Sequence, residues 1–198
     1  MPDWNNELEL FKVYKGDIKT FVETGSFQGA GIQKALDAGY ENVISIELST
    51  QYFLVCSERF SNKDNVKLVQ GDSCDVLAPT INEIDEPIVF WLDGHYSCGE
   101  TAKGKHWSPI MQELDAISKH PIKNHTIMID DMRCWRTDNP EFKFGYLDIE
   151  EKIKSINSDY HFEYFRPSSQ FNKSDQKSWP EGLLGDILVA FIEENKNG

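Results

Sequence analysis

Short apolar runs that end in acidic residues constrain this chain more than any other feature. Ile88-Val89-Phe90-Trp91-Leu92 closes on Asp93, and Ile127-Met128-Ile129 closes on the pair Asp130-Asp131. Runs this short, bounded by turn signals, read as strands buried on both faces of a parallel sheet. In a doubly wound sheet, ligands bind just beyond the carboxyl ends of such strands. Carboxylates gathered there, with His95 nearby, make an oxygen-rich setting suited to a hard cation such as Mg²⁺ or Mn²⁺.

The rest of the chain repeats the strand–helix theme. Phe21 to Gly25 reads as a first strand entering a tight turn, and Gly29 to Ala38 as a helix with Ile32, Ala35 and Leu36 on one face. Val43 to Leu48 is a second strand, followed by a helix capped by Ser49 or Thr50 and running to about Phe60. Val66 to Val69 is a third, ending at Gly71-Asp72-Ser73, with a helix to about Ile84. Pro87 opens the fourth strand, where its missing N–H is tolerated. Ser108-Pro109 suggests an N-cap followed by proline at the first helical position. Ile110, Leu114 and Ile117 form that helix's apolar stripe. Thr126 to Ile129 is the fifth strand, and a helix follows from about Leu147 to Asn157. Tyr160 to Arg166 and Ile187 to Ile192 are the last strands. The polar segment 167–185 between them offers no convincing helix, which suits an antiparallel return better than a parallel crossover. The expected fold is therefore α/β and Rossmann-like, with helices on both faces of a mostly parallel sheet and an antiparallel ending. One domain over residues 1–198 is the natural expectation for this length.

Composition narrows the partners. The chain carries 20 Lys and Arg against 33 Asp and Glu, a net charge of −13 without basic clusters. Nucleic acid and anionic membrane surfaces are disfavoured. Neither a signal peptide nor a bilayer-length apolar run is evident, and Cys56, Cys74, Cys98 and Cys134 form no C-x-x-C pair. The expectation is a soluble, cytoplasmic protein with reduced thiols.

The first strand–helix turn reads Glu23-Thr24-Gly25-Ser26-Phe27-Gln28-Gly29-Ala30-Gly31. This is not the G-x-G-x-x-G of a dinucleotide site, and an acid at Glu23 opposes a phosphate while welcoming an ammonium group. Glu47 ends the second strand, where a carboxylate can take both hydroxyls of a ribose. Asp72-Ser73 ends the third and can meet an adenine amine. An adenosine with a cationic amino-acid tail and no phosphate satisfies all of these, and S-adenosylmethionine is such a molecule.

At these residues the chain resembles class I S-adenosylmethionine-dependent methyltransferases, and within them the divalent-metal-dependent O-methyltransferases. The E-x-G-x-x-x-G of Glu23, Gly25 and Gly29 is similar to the catechol-type branch. Trp91-Leu92-Asp93-Gly94-His95-Tyr96-Ser97 and Ile129-Asp130-Asp131 look like small sugar O-methyltransferases of bacterial and large-virus (chlorovirus-like) glycan pathways; macrocin-type enzymes are a more distant likeness. The resemblance spans about residues 18 to 194 and implies a seven-stranded sheet whose last strand is antiparallel. It implies cofactor contacts from Glu23, Thr24, Gly25, Ser26, Glu47, Leu48, Asp72, Ser73 and Asp93, and metal ligation by Asp93, Asp130 and Asp131. It also implies an acceptor hydroxyl on a sugar, a deoxyhexose such as rhamnose, free or within a glycan, and a possible link to glycosyltransferases. The chain departs from the catechol branch in two places: Tyr96 stands where that branch has a lysine, and Asp130-Asp131 where it has Asp-Asn.

The catalytic base is therefore open among His95, Asp93 and Lys103, with His95 preferred because imidazole titrates near neutral pH. Trp135, flanked by Arg133 and Arg136, is the foremost candidate for stacking on an acceptor; it could equally cover the sheet edge. Trp107 and Trp179 lie in other polar loops. The longer loop 97–104 shapes the acceptor side, and 167–185 is a candidate lid. Methylation of a catechol or another small phenol, and a non-catalytic cofactor-binding module, are the alternative readings.

Overall fold

The computed structural model describes residues 6–96, 102–136, 143–166, 168–177 and 179–196. Seven strands form one sheet in the order β3-β2-β1-β4-β5-β7-β6. They are β1 (Thr20–Thr24), β2 (Asn42–Glu47), β3 (Val66–Gln70), β4 (Ile88–Leu92), β5 (Thr126–Ile129), β6 (His161–Phe165) and β7 (Ile187–Phe191). The first five are parallel, and β7 inserts antiparallel between β5 and β6. The expected Rossmann-like architecture and antiparallel ending are both present.

Strand residues alternate between two cores. Val22, Phe90, Ile127 and Leu188 face α4 (Ser73–Ile81), α5 (Ile110–Lys119) and α6 (Tyr146–Ile156). Phe21, Val89, Met128 and Val189 face the opposite layer, with α1 (Glu7–Val13), α2 (Ala30–Asp37) and α3 (Thr50–Arg59). Burial on both sides is why β1, β4, β5 and β7 read as unbroken apolar runs.

Three local features differ from the sequence expectations. Helix α1 precedes the first expected element; Asn6 caps it by accepting the Leu8 N–H at 3.1 Å, and Leu10 and Phe11 bury its inner face. Helix α5 starts at Ile110 with Pro109 as its cap residue, although Ser108 Oγ still accepts the Ile110 N–H at 3.2 Å. The polar connection after β6 contains a 3-10 turn at Ser168–Gln170 and a single helical turn, α7 (Lys173–Gln176).

The chain leaves β1 toward β2 on one side and returns through β4 on the other, so the sheet has its switch point between β1 and β4. The ladder continues one residue past several strands. Gly25 N–H donates to Ile46, Gly71 to Glu47, Asp93 to Thr24 and Asp130 to Leu92, at 2.9 to 3.3 Å. These bonds align the strand tips on one rim, where the acids collect.

Candidate functional site: acids around a cavity at the switch point

A cavity of about 360 Å³ opens over that rim. It is lined by residues after β1 (Gly25, Phe27), β2 (Glu47, Leu48), β3 (Asp72, Ser73), β4 (Asp93, Gly94, His95) and β5 (Asp131). Gly104 and His106 reach it from the loop before α5.

Glu23 lies beneath this floor. It stands opposite Ser45 in the parallel register, so both side chains share a face. Ser45 Oγ donates to Glu23 Oε2 at 2.5 Å, and Ser45 Oγ and Ser26 Oγ are also 2.5 Å apart. Burial pushes the Glu23 carboxyl up to about 8; the Ser45 bond opposes this, and Asp93 and Glu47 reinforce it. Two glycines open the space. A Cβ on Gly31 would sit 1.8 Å from Glu23 Oε1, and one on Gly25 (φ 89°) would sit 2.5 Å from the Asp93 carbonyl oxygen. A side chain at Gly31 would fill the space of the carboxyl group, and one at Gly25 would push against the Asp93–Gly94 backbone.

Glu47 is fixed by backbone donors: the Phe27 N–H reaches Oε2 at 2.8 Å and the Ser49 N–H reaches Oε1 at 2.7 Å. Phe27 holds a left-handed conformation (φ 44°) to make its bond, and its ring lies 4.4 Å from Tyr52. Asp72 caps α4 through the Cys74 N–H at 3.0 Å and accepts the Lys105 N–H at 3.0 Å. Burial would raise its carboxyl, but the Lys105 and Cys74 donors outweigh that and lower it. Gly104 passes so close that a Cβ there would meet Asp72 Oδ2 at 2.6 Å and Leu48 Cδ2 at 3.3 Å, so this loop closes the Asp72–Leu48 end.

The predicted metal ligands divide into two groups. Asp93, His95 and Asp131 place one ligand atom each within 4.8 Å of one another; Asp130, Asp131 and Asp186 do the same. His95 Nδ1 is 3.4 Å from Asp93 and Nε2 is 3.0 Å from Asp131. Burial disfavours its charge, yet bonding to Asp131 and Asp93 carries the imidazole up to about 10. Without a cation, the two carboxylates thus favour the protonated ring; a cation held there would displace that proton to take a ring nitrogen as ligand. Asp131 is a left-handed residue (φ 58°) whose N–H donates to Asp130 Oδ1 at 2.8 Å. Burial and the neighbouring Asp131 and Asp93 push Asp130 up to about 7 against the pull of Arg166. Arg166 Nη1 pairs with Asp130 at 3.0 Å and Nη2 with Glu7 at 2.7 Å, while Arg133 pairs with both Asp131 and Asp186.

The donor chemistry of Asp93, His95 and Asp131 (two carboxylates and an imidazole at a cavity edge) fits a divalent cation of the Mn²⁺ type. The second group fits less well, because two guanidinium groups already neutralise it. Asp130 therefore belongs with Asp186 and Arg166 rather than with Asp93. Lys103 is not among the cavity's lining residues; its ammonium lies 4.3 Å from the Trp107 ring centre and 5.9 Å from Tyr96. Trp135 is 2% exposed, its ring 5.9 Å from His95 and nearly perpendicular. Cys98 and residues 97–101 of the longer loop lie outside the described residues.

One acid escaped the sequence reading. Glu113 on α5 is 1% exposed, and its Oε1 and Thr24 Oγ1 both lie 3.2 Å from where Gly94 would carry a Cβ. Burial pushes it up to about 7, with the nearby Ser73 and Thr24 hydroxyls opposing the shift. The signal was present: position 113 is three residues after Ile110, within the buried stripe.

No protein-family model matches the chain, and no curated protein sequence does either. Among solved structures, similarity lies in fold. An O-methyltransferase from Bacillus cereus in complex with SAH aligns with TM-score 0.63 at 12% identity, covering 94% of this chain and 78% of that one. The N-methyltransferase NodS from Bradyrhizobium japonicum, also with SAH, gives 0.55 at 12%, covering 93% and 82%. Spermidine synthase from Thermotoga maritima gives 0.55 at 10%, covering 96% and 62%. The chain has the Rossmann-like fold that these proteins share.

Proposed function

We propose that this chain transfers a methyl group from S-adenosylmethionine to a sugar hydroxyl, on a deoxyhexose such as rhamnose, with a divalent cation at Asp93, His95 and Asp131. One observation carries the reading: Glu47 on one side and the Asp93–His95–Asp131 group on the other line a single cavity at the switch point, with the buried Glu23 close enough to interact with both Asp93 and Glu47. Two of the fold neighbours are methyltransferases in complex with SAH, which supports the donor.

Each residue has a task. Glu23, reached across the gap left by Gly31, takes the ammonium of the donor's amino-acid tail. Glu47, held by Phe27 and Ser49, keeps lone pairs for ribose hydroxyls. Leu48 packs on the adenine near Asp72 and Ser73. The donor supplies an activated methyl group on a sulfonium, and a divalent cation would supply Lewis acidity to the acceptor hydroxyl. Alignment of the acceptor oxygen behind the methyl group can supply much of the barrier reduction. The base remains within the Asp93–His95 pair. A cation held by Asp93 and Asp131 would neutralise the carboxylates that favour the imidazolium, and so favour the neutral ring that can ligate it or accept a proton.

Thermal unfolding with S-adenosylhomocysteine, with and without Mn²⁺, tests both halves. The donor product should raise the midpoint, and Mn²⁺ should raise it further. No shift with S-adenosylhomocysteine would sink the proposal.

A further inference from the structure

A second cavity of about 630 Å³ is lined in part by Trp135, whose ring packs against His95 of the first. Trp135 meets His95 at 5.9 Å and also lines this second space, together with Arg136, Tyr146, Lys177, Trp179 and Glu181. From these contacts we infer that the cavity binds a second sugar unit, so that the methyl acceptor is a glycan of two or more units. The inference rests on the sugar-hydroxyl reading above and extends it.

The lining has the character a pyranose requires. A sugar ring offers an apolar C–H face and a rim of hydroxyls that both donate and accept. Tyr146 and Trp179 bring flat apolar surface, the buried Trp135 closes the inner wall, and Arg136, Lys177 and Glu181 bring donors and an acceptor to the edge. Trp179 adds a polar demand: its buried indole N–H finds no acceptor among the described residues. A hydroxyl oxygen can satisfy it. Tyr146 is held in place by donating to the Glu181 carbonyl at 3.1 Å, and Trp179 by its packing on Phe171 at 5.3 Å. The walls are therefore preorganised, which lowers the cost of binding.

Position turns this pocket into a reading of acceptor length. The candidate reacting centre at Asp93, His95 and Asp131 lies on the donor side of the His95–Trp135 contact, and the second cavity begins at Trp135. A sugar at the centre leaves the second cavity for its glycosidic neighbour. A lone monosaccharide or a small phenol would leave it unused.

The test compares methyl α-rhamnoside with a methyl rhamnosyl-rhamnoside, following methyl transfer by mass spectrometry and binding by saturation-transfer NMR. The disaccharide should give a kcat/KM about tenfold higher, the worth of one good aromatic contact. Trp179→Ala, and separately Lys177→Ala, should bring the ratio of the two acceptors toward one. The thermal shift with S-adenosylhomocysteine verifies that each variant is folded. Equal kcat/KM for the two acceptors in the wild type, or a ratio unmoved by Trp179→Ala, would overturn the inference. Disaccharide binding that Trp179→Ala abolishes, without methyl transfer to either sugar, would keep the cavity assignment and overturn the methylation reading. Absence of both binding and transfer would overturn both readings.

Discussion

Gly31 faces Glu23 so closely that a methyl group on its α-carbon would lie 1.8 Å from Glu23 Oε1. A glycine inside a helix ordinarily costs about 1 kcal/mol relative to alanine. Here the vacant volume belongs to the carboxyl group. Gly31→Ala should therefore displace Glu23, with overpacking of about 1–3 kcal/mol outweighing the gain in helix propensity. Calorimetric titration with S-adenosylhomocysteine should show a loss of at least about tenfold in affinity, from removing one charge-assisted contact. Unchanged affinity would separate Glu23 from the donor.

Glu23 also makes a pH prediction. Its folded pKa is raised from 4.5 to about 8, so the ligand-free protein holds an extra proton in that window. Stability of the ligand-free chain should fall as pH rises from about 4.5 toward 8, since the folded state then binds more protons than the unfolded one. Glu113, raised to about 7, adds to the same slope. An ammonium placed on Glu23 needs it ionised, so donor-product binding should release a proton and, below pH 8, tighten as pH rises by up to about tenfold per unit. Glu23→Gln should bind more weakly and flatten that slope. Calorimetry in buffers of different ionisation enthalpy reads the proton directly.

At the other end of the sheet, His125 and His120 form a buried relay. The Ile88 N–H donates to His125 Nδ1 at 3.0 Å, His125 Nε2 lies 3.1 Å from His120 Nδ1, and His120 Nε2 lies 2.9 Å from the Ile84 carbonyl. Those partners fix Nε2–H on both rings when neutral. Burial lowers His125 to about 3, with His120 adding to the effect. The stability this provides is full above pH 6.5 and is lost as pH falls toward 3, on the order of a few kcal/mol. Acid unfolding of His125→Gln should begin from a lower stability and show a shallower slope across that window.

The two carboxylate groups at the β5 tip should separate by mutation. Asp131 is common to both clusters, whereas Asp130 is committed to Arg166. Asp131→Asn should lower Mn²⁺ affinity by at least about tenfold, and Asp130→Asn by less, as read by electron paramagnetic resonance of free Mn²⁺. Equal losses would place the cation between the two groups instead.

The sheet was legible because its strands are buried on both faces, which leaves runs such as Ile88–Leu92 with no polar interruption. Helix α1 carried ordinary signals (Asn6 as cap, acids in its first turn, Lys12 in its last), but it is seven residues long and too short for its periodicity to stand out. Asp186 could not be placed from sequence. It meets Arg133 and the β5 tip only because β7 returns antiparallel beside β5, after a connection without repeating pattern. The division between Asp93–His95–Asp131 and Asp130–Asp186 was hidden for a related reason: it depends on the left-handed turn at Asp131 and on Arg166 arriving from β6. Lys103, adjacent in sequence to the cavity loop, faces Trp107 and Tyr96, a preference set by local aromatic packing.

The most direct test is methyl transfer itself. The purified chain is incubated with isotopically labelled S-adenosylmethionine and methyl rhamnosyl-rhamnoside, with Mn²⁺ or with EDTA, and the product is read by mass spectrometry. The proposed function predicts a labelled O-methyl sugar with Mn²⁺, little with EDTA, and little from Asp131→Asn under either condition. Full transfer in EDTA, or a labelled methyl group that never reaches a hydroxyl, would contradict it.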